Sequence, residues 1–226
     1  MHLVFTGNPG TGKTTAARLI GKAYHALGLL EKPTVTSVSR ADLVAGYEGQ
    51  SALKTQAAFK KAKGGVLFID EAYSLVNGDR DEYGKEALNE LIQLAEDNRD
   101  NTVIILAGYG GQTEKMLSHN PGSASRFPTR GRIDFPDYSA TEKLKIMEGV
   151  LDKGKYTLEP GAKKAMVEAV KALPSGVEGA GNARDVRNLY EAIRSAQSRR
   201  LAGSARTREE LSTITEADVA AAVRKK

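Results

Sequence analysis

The octapeptide GNPGTGKT, residues 7–14, constrains this chain more than any other stretch. It fits the spacing G-x-x-x-x-G-K-[ST], and its flanks are the ones that give that spacing meaning. An apolar run, Leu3 to Thr6, precedes it, and TTAARLIGKAYHAL follows with Leu19, Ile20, Ala23 and Leu27 at helical spacing until Gly28. Strand, glycine loop and helix in that order make a cradle for polyphosphate, because glycines let main-chain amides approach an anion and a helix start offers the positive end of its dipole. Gly10, Gly12, Lys13 and Thr14 supply the cradle, with Asn8, Pro9, Thr11 and Thr15 completing the loop and its exit. Lys13 places a charge on the outer phosphates of ATP, and the Thr14 hydroxyl is suited to ligate Mg2+.

A second motif supports the first. VLFIDE, residues 66–71, reads as a strand covered on both faces and ending in two acids. Asp70 suits the metal, and Glu71 suits a base that orients the water attacking the γ-phosphate. Two acids that merely end a strand are the structural alternative. The pair favours hydrolysis over a permanently held nucleotide.

Around these motifs the pattern alternates. TVTSVS (34–39) is a short β-branched strand, residues 52–63 form a helix stopped by Gly64 and Gly65, and Leu88, Leu91, Ile92 and Ala95 mark one face of another helix. VIILA (103–107) is a fourth strand and RIDF (132–135) a last candidate. Fully apolar strands alternating with helices predict an α/β fold, a parallel sheet flanked by helices. After DFPDYS only helix is expected: residues 141–151, 160–173 with Pro160 in the first turn, 183–201, and 215–226 opened by Thr215 and Asp218 as a capping box. The predicted division is therefore 1–137 for the α/β part and 138–226 for a small all-helical one. The glycine-rich PSGVEGAGN is expected to be a mobile loop.

Bulk properties exclude more than they assign. Of 226 residues 40% are hydrophobic, enough for a real core, and there is no apolar run of membrane-spanning length and no leader, so cytoplasmic placement and no membrane insertion are expected. The absence of cysteine rules out disulfides and thiolate metal sites. His2, His25 and His119 are scattered and read as packing or surface residues rather than a zinc site. The net charge of +5 permits weak contact with polyanions. Many of the basic residues, however, lie in RDVRNLYEAIRSAQSRR and the terminal RKK, which a solvated helix face explains as well.

The two motifs, the order of elements, and the pieces DLVAGYEGQSALKT, GGVLFIDEAYSL, VIILAGY, NPGSASRF, IDFPDYS and GNARDVRN together resemble the AAA+ ATPases. They are most similar to the branch containing CbbX (the red-type rubisco activase), stage V sporulation protein K and the type VII secretion ATPase EccA. The resemblance runs through nearly the whole chain and implies a P-loop AAA+ module with a small helical C-terminal lid. It implies ATP and Mg2+ as cofactors, and a ring homo-oligomer, a hexamer, with nucleotide between subunits. Arg126 in SASRF matches the arginine finger that reaches a neighbour's γ-phosphate, a surface ion pair being the alternative; Arg130 and Arg132 lie nearby. Arg184 resembles the sensor 2 arginine of the lid, and Arg187 one turn later an interface arginine.

Tyr47 in GYEGQ matches the aromatic of the pore loop that grips a polypeptide, the glycines leaving it free to swing. Glu48 beside it would repel phosphate, so a protein substrate is expected and nucleic acid is not. One position departs from the family: Tyr109 stands where Asn, Thr or Ser often ends the fourth strand as sensor 1, and its phenol could hold a water or pack. Family modules also carry a helix and an apolar segment before the first strand. With Met1 so near Leu3, the resemblance implies an N-terminally shortened module that binds ATP weakly and assembles poorly alone. The implied function is Mg-dependent ATP hydrolysis coupled to remodelling or threading a protein through a ring pore. The alternatives are a nucleic-acid motor or loader on the same core and a nucleotide-gated scaffold with little hydrolysis.

Overall fold

A computed structural model describes residues 1–203 and 207–224. The chain divides into two compact units, one of residues 1–7 and 12–135, the other of residues 8–11 and 136–226. In the first, chain order runs β1 (Leu3–Thr6), α1 (Lys13–Ala26), β2 (Val35–Val38), α2 (Arg40–Leu43), α3 (Gln50–Ala62), β3 (Val66–Ile69), a 3-10 turn (Ala72–Leu75), α4 (Glu82–Asp97), β4 (Val103–Gly108), α5 (Gly110–Leu117), α6 (Ser123–Arg126) and β5 (Arg132–Asp134). The five strands form one parallel sheet in the order β2-β3-β4-β1-β5.

The continuous apolar strands sit where their composition demands. Every residue of β3 and β4 is buried, and alternate residues go to opposite faces. Leu67, Ile69, Ile104 and Leu106 pack with Phe59 of α3 and with Leu88, Leu91, Ile92 and Ala95 of α4, the face expected from the sequence. Val66, Phe68, Val103, Ile105 and Ala107 pack with Ala17 of α1 and Leu30 on the other side.

The helix after the glycine loop corrects one expectation. Its buried residues are Ala17 and Gly21, whereas Leu19 is 61% exposed and Leu27 71% exposed. A Cβ at Gly21 would lie 3.0 Å from the Pro33 carbonyl oxygen and 3.3 Å from Val35 and Val66 methyls. At Gly21 the helix is seated too close to the sheet for any side chain, so the smallest residues face inward there, Ile20 and Tyr24 pack at the edge of the core, and the leucines stay outside.

The second unit holds α7 (Ala140–Gly154), β6 (Thr157–Leu158), α8 (Pro160–Lys171), α9 (Ala183–Leu201), α10 (Arg208–Ser212), β7 (Thr213–Ile214) and α11 (Glu216–Val223). It is not all helix as expected: β6 and β7 form a two-stranded parallel ladder, pairing Thr157 with Thr213 and Leu158 with Ile214. Met147, Leu151, Met166, Val170, Val186, Ile193, Ile214 and Val219 make its core. Pro160 opens α8 and the Thr215–Asp218 capping box opens α11 as the sequence indicates; the last two residues of that predicted helix, 225–226, lie outside the described residues. Arg200 grips the buried Asp218 with two hydrogen bonds of 2.9 and 2.8 Å.

The stretch PSGVEGAGN, expected to be mobile, is anchored within the second unit. Lys143 Nζ donates to the Pro174 carbonyl, and the Gly176 amide donates to Asp137. Among the described residues no helix is long and apolar enough to cross a membrane, and no group of three His, Cys, Asp or Glu side chains could hold a metal ion.

One charged clamp organises the first unit near its strand ends. Asp81 caps α4 by accepting from the Gly84 amide at 3.0 Å, accepts from the Asn77 amide at 2.7 Å, and pairs with Arg40 through both carboxylate oxygens at 2.6 and 3.2 Å. The Arg40 guanidinium also donates to the Ser74 and Leu75 carbonyls. Burial works against the Asp81 charge, but the Arg40 and amide hydrogen bonds outweigh it and hold the carboxyl at about 2. A depressed carboxyl stabilises the fold fully above its unfolded value near pH 4, and that contribution is lost as pH falls toward 2. Asp81→Asn should therefore cost roughly 2 kcal/mol at pH 7 and flatten the fall in stability between pH 4 and 2. Urea unfolding across that range measures both effects.

Candidate nucleotide-binding site

Parallel pairing brings the C-terminal ends of β3, β4 and β1 to one edge of the sheet, with Ile69 opposite Leu106 and Thr6 opposite Gly108. Asp70 and Glu71, Tyr109, and Gly7 follow directly, so this edge collects the two acids, the strand-end tyrosine and the start of the glycine loop. Gly7 closes the junction: its amide donates to the Gly108 carbonyl at 3.2 Å. Its φ is 142°, and a Cβ there would stand 2.3 Å from the Phe135 carbonyl oxygen, so only glycine fits.

Lys13 and Thr14 open α1 behind Gly12, whose φ of 98° is left-handed. No acidic side chain occupies that helix's first turn. The Lys13 ammonium donates to the Gly7 carbonyl at 2.6 Å, which lays it across the base of the loop. Thr14 is half-buried and Thr15 exposed.

The loop's tip, residues 8–11, belongs to the second unit, and its main-chain carbonyls are all engaged. The Asn8 carbonyl accepts from Thr11 Oγ1 at 2.8 Å, Pro9 from Asn182 Nδ2 at 3.3 Å, Gly10 from the Ala183 amide at 3.2 Å, and Thr11 from the Tyr138 hydroxyl at 3.0 Å. By contrast, among the described residues the amides of Gly10, Thr11, Gly12 and Thr14 donate to no protein acceptor. The first amides of a helix have no partner within it, and here those of Gly10 and Thr11 in the preceding loop are open beside them. Carbonyls satisfied and successive amides open is the polarity an anion requires, and on this ground the loop fits the phosphates of a nucleotide. Gly10 could not carry a side chain either, since a Cβ would meet the Gly181 carbonyl oxygen at 2.1 Å and φ is 72°.

Sequence reading did not single out the donors Tyr138 and Asn182, nor Asp137, which accepts from Asn8 Nδ2 at 2.9 Å and Asn182 Nδ2 at 2.7 Å. Arg184 is exposed on the first turn of α9, one residue beyond the amide that holds Gly10, and Arg187 is exposed further along.

Asp70 and Glu71 are both exposed. Glu71 has φ 49° and ψ 42°, a left-handed conformation that costs a non-glycine residue about 1 kcal/mol or more. It is held by the turn that follows, where the Ser74 amide donates to the Glu71 carbonyl at 2.8 Å. The two adjacent carboxylates at the sheet's edge can accept a proton or ligate a hard cation. Tyr109 packs its ring against Tyr73 with centroids 5.5 Å apart. Burial, then the nearby Glu71 charge, raises the Tyr73 phenol above its usual range, so it stays protonated at neutral pH.

Three predicted residues, Arg126, Tyr47 and Glu48, lie apart from this edge. Arg126, at the end of α6, has Nε 3.1 Å from Glu96 of α4, an ion pair whose N–H does not point squarely at the carboxylate. Glu96 also pairs with Arg99 at 2.9 Å. Of its neighbours, Arg132 pairs with Glu114 and Arg130 is exposed. Tyr47, between α2 and α3, is 78% exposed, and Glu48 beside it is also exposed. The base of that loop is fixed: the Ala45 amide donates to Ser51 Oγ at 3.0 Å and Thr55 Oγ1 to the Leu43 carbonyl at 3.2 Å.

Comparison with known proteins places this geometry. The family described as "ATPase family associated with various cellular activities (AAA)" matches residues 3–134, and the AAA lid domain matches residues 139–226. Stage V sporulation protein K of Bacillus subtilis is 43% identical over 97% of this chain and 68% of its own length. Protein CbbX of Cereibacter sphaeroides is 43% identical over 98% of the chain and 72% of its own. The ESX-1 secretion system protein EccA1 of Mycobacterium leprae is 42% identical over 89% of the chain, which spans 36% of that longer protein. Among solved structures, the FIGL-1 AAA domain in complex with ADP shares the fold, with a TM-score of 0.64 at 20% identity over 99% of this chain and 70% of that one. The chain belongs to the AAA family of ATPases, in the branch of CbbX, stage V sporulation protein K and EccA.

Proposed function

We propose that this protein hydrolyses ATP with Mg2+ in a ring of identical subunits, a hexamer, and uses the energy to remodel or thread a protein substrate through the ring's pore, in the cytoplasm. The observation that carries the nucleotide reading is the polarity of the glycine loop: the carbonyls of residues 8–11 are engaged, and the amides of Gly10, Thr11 and Gly12 are open in succession. Lys13 and the amides of residues 10–14 bind the phosphates. Thr14 and Asp70 hold the metal, which supplies charge neutralisation on the phosphate oxygens. Glu71 accepts the proton of the attacking water, and the strain in its backbone supports a role in which its direction matters. Arg184 contacts the phosphates from the same chain, with Tyr109 at the strand end beside them. Arg126 serves the neighbouring subunit's site, and Glu96 holds its guanidinium until the interface forms. An exposed tyrosine on a loop with a fixed base offers a sequence-tolerant apolar grip, which supports a polypeptide as the thing held.

Glu71→Gln should bind ATP and lower turnover at least ~100-fold; unchanged turnover in a coupled phosphate-release assay defeats the base assignment. Arg126→Ala should lower turnover by on the order of a thousandfold. Because that arginine acts on a neighbour, mixing inactive Arg126→Ala and Glu71→Gln subunits should restore part of the activity; a mixture as inactive as its components places the arginine elsewhere. Tyr47→Ala should abolish stimulation of turnover by an unfolded polypeptide, and Tyr47→Phe should retain it; stimulation by DNA in place of polypeptide would reassign the substrate.

A further inference from the structure

A trans peptide group points its C=O and the following N–H in opposite directions, and no cis bond occurs among the described residues. Fixing a carbonyl therefore fixes the amide of the next residue. In the loop tip this pairing is complete. The Pro9 carbonyl, held by Asn182 Nδ2, sets the Gly10 amide; the Gly10 carbonyl, held by the Ala183 amide, sets that of Thr11; and the Thr11 carbonyl, held by the Tyr138 hydroxyl, sets that of Gly12. The peptide before Pro9 has no N–H to aim. Those three amides are among the ones with no protein acceptor.

We propose that Tyr138 and Asn182 are positioning residues for phosphate recognition, which by holding the Thr11 and Pro9 carbonyls turn the Gly12 and Gly10 amides toward the bound anion. The inference rests on the nucleotide reading of the loop. Neither residue touches the phosphates in this role; each acts through a peptide plane.

The surroundings of both are built for it. Asn182 is fully buried and in a left-handed conformation, φ 51° and ψ −119°, that an ordinary residue avoids. Its side chain is fixed on every side: the two hydrogens of Nδ2 are shared among the Pro9 carbonyl at 3.3 Å, Asp137 at 2.7 Å and the Ala180 carbonyl at 3.1 Å, and Oδ1 accepts the Tyr138 amide at 2.8 Å. Asp137 in turn accepts from Asn8 Nδ2, and Asn8 donates to the Val177 carbonyl, so the first residue of the tip is tied to the same network. Hydrogen bonds from Asn182, Asn8 and the Gly176 amide outweigh the burial of Asp137 and keep its carboxyl below the usual range, so the network stays intact at neutral pH.

The test is the affinity of the full chain for ADP, by calorimetry, beside the nucleotide-free thermal midpoint. Tyr138→Phe keeps the ring and any contact it makes, and loses only the hydroxyl. It should weaken ADP binding ~2- to 10-fold, the effect of one hydrogen bond, with the nucleotide-free midpoint unchanged. Asn182→Gly removes the amide while easing the backbone strain and should weaken binding more. Lys13→Ala is the control for the underlying reading and should lose binding. If Lys13→Ala loses binding but Tyr138→Phe binds ADP within twofold of the unmodified chain, the positioning inference is wrong and the site stands. A nucleotide-free midpoint that falls along with the affinity of Tyr138→Phe reduces the hydroxyl to a structural contact and also overturns it. If Lys13→Ala binds as the unmodified chain does, the nucleotide reading fails and takes the inference with it.

Discussion

Parallel strand pairing is the constraint on which the first unit depends. Because β3 and β4 are apolar on both faces, they can only lie inside a sheet covered by helices on each side. Strands running the same way then end along one edge, and the register that sets Ile69 beside Leu106 and Thr6 beside Gly108 delivers Glu71, Tyr109 and Gly7 there together. The cost appears at the turns leaving that edge, where Gly7 takes a conformation closed to other residues and Glu71 takes one that other residues avoid.

A second constraint acts a few residues further on. The carbonyls that end the turn after Glu71 accept from Arg40, and Arg40 begins the helix that leads to Tyr47. Asp81 pins the same guanidinium while capping α4. Gly84 is required beside them, since a Cβ there would meet the Leu75 carbonyl oxygen at 2.1 Å. The turn carrying the acid and the helix carrying the aromatic loop thus share one half-buried ion pair, and they form one packed body rather than two independent loops.

Much of this was legible in the amino-acid sequence, for physical reasons. Buried parallel strands announce themselves as unbroken apolar runs, α4 as an apolar stripe, and α8 and α11 by a first-turn proline and a capping box. The face of α1 was not, because close helix-to-sheet contact selects for the smallest side chain and so reverses the usual signal: Gly21 is inside and Leu19 outside. Two-residue strands such as β6 and β7 are too short to show any period. The glycine loop could be read from its spacing, but the groups that orient it could not. Tyr138 and Asn182 carry no local pattern, and they meet the loop across 127 and 173 residues of chain. The Arg126–Glu96 pair was equally hidden, being a matter of which side chain faces α4 after the chain has folded.

The long separation between the loop tip and its donors bears on how the molecule is made. Asn182 and Ala183 are added more than 170 residues after residues 8–11, a delay of ~10–35 s at ordinary rates of synthesis. Through that interval the nascent chain can build its sheet, yet the peptide planes of the tip lack the groups that orient them. On the positioning inference, full affinity for a nucleotide is therefore acquired only once residues 138–183 have been made.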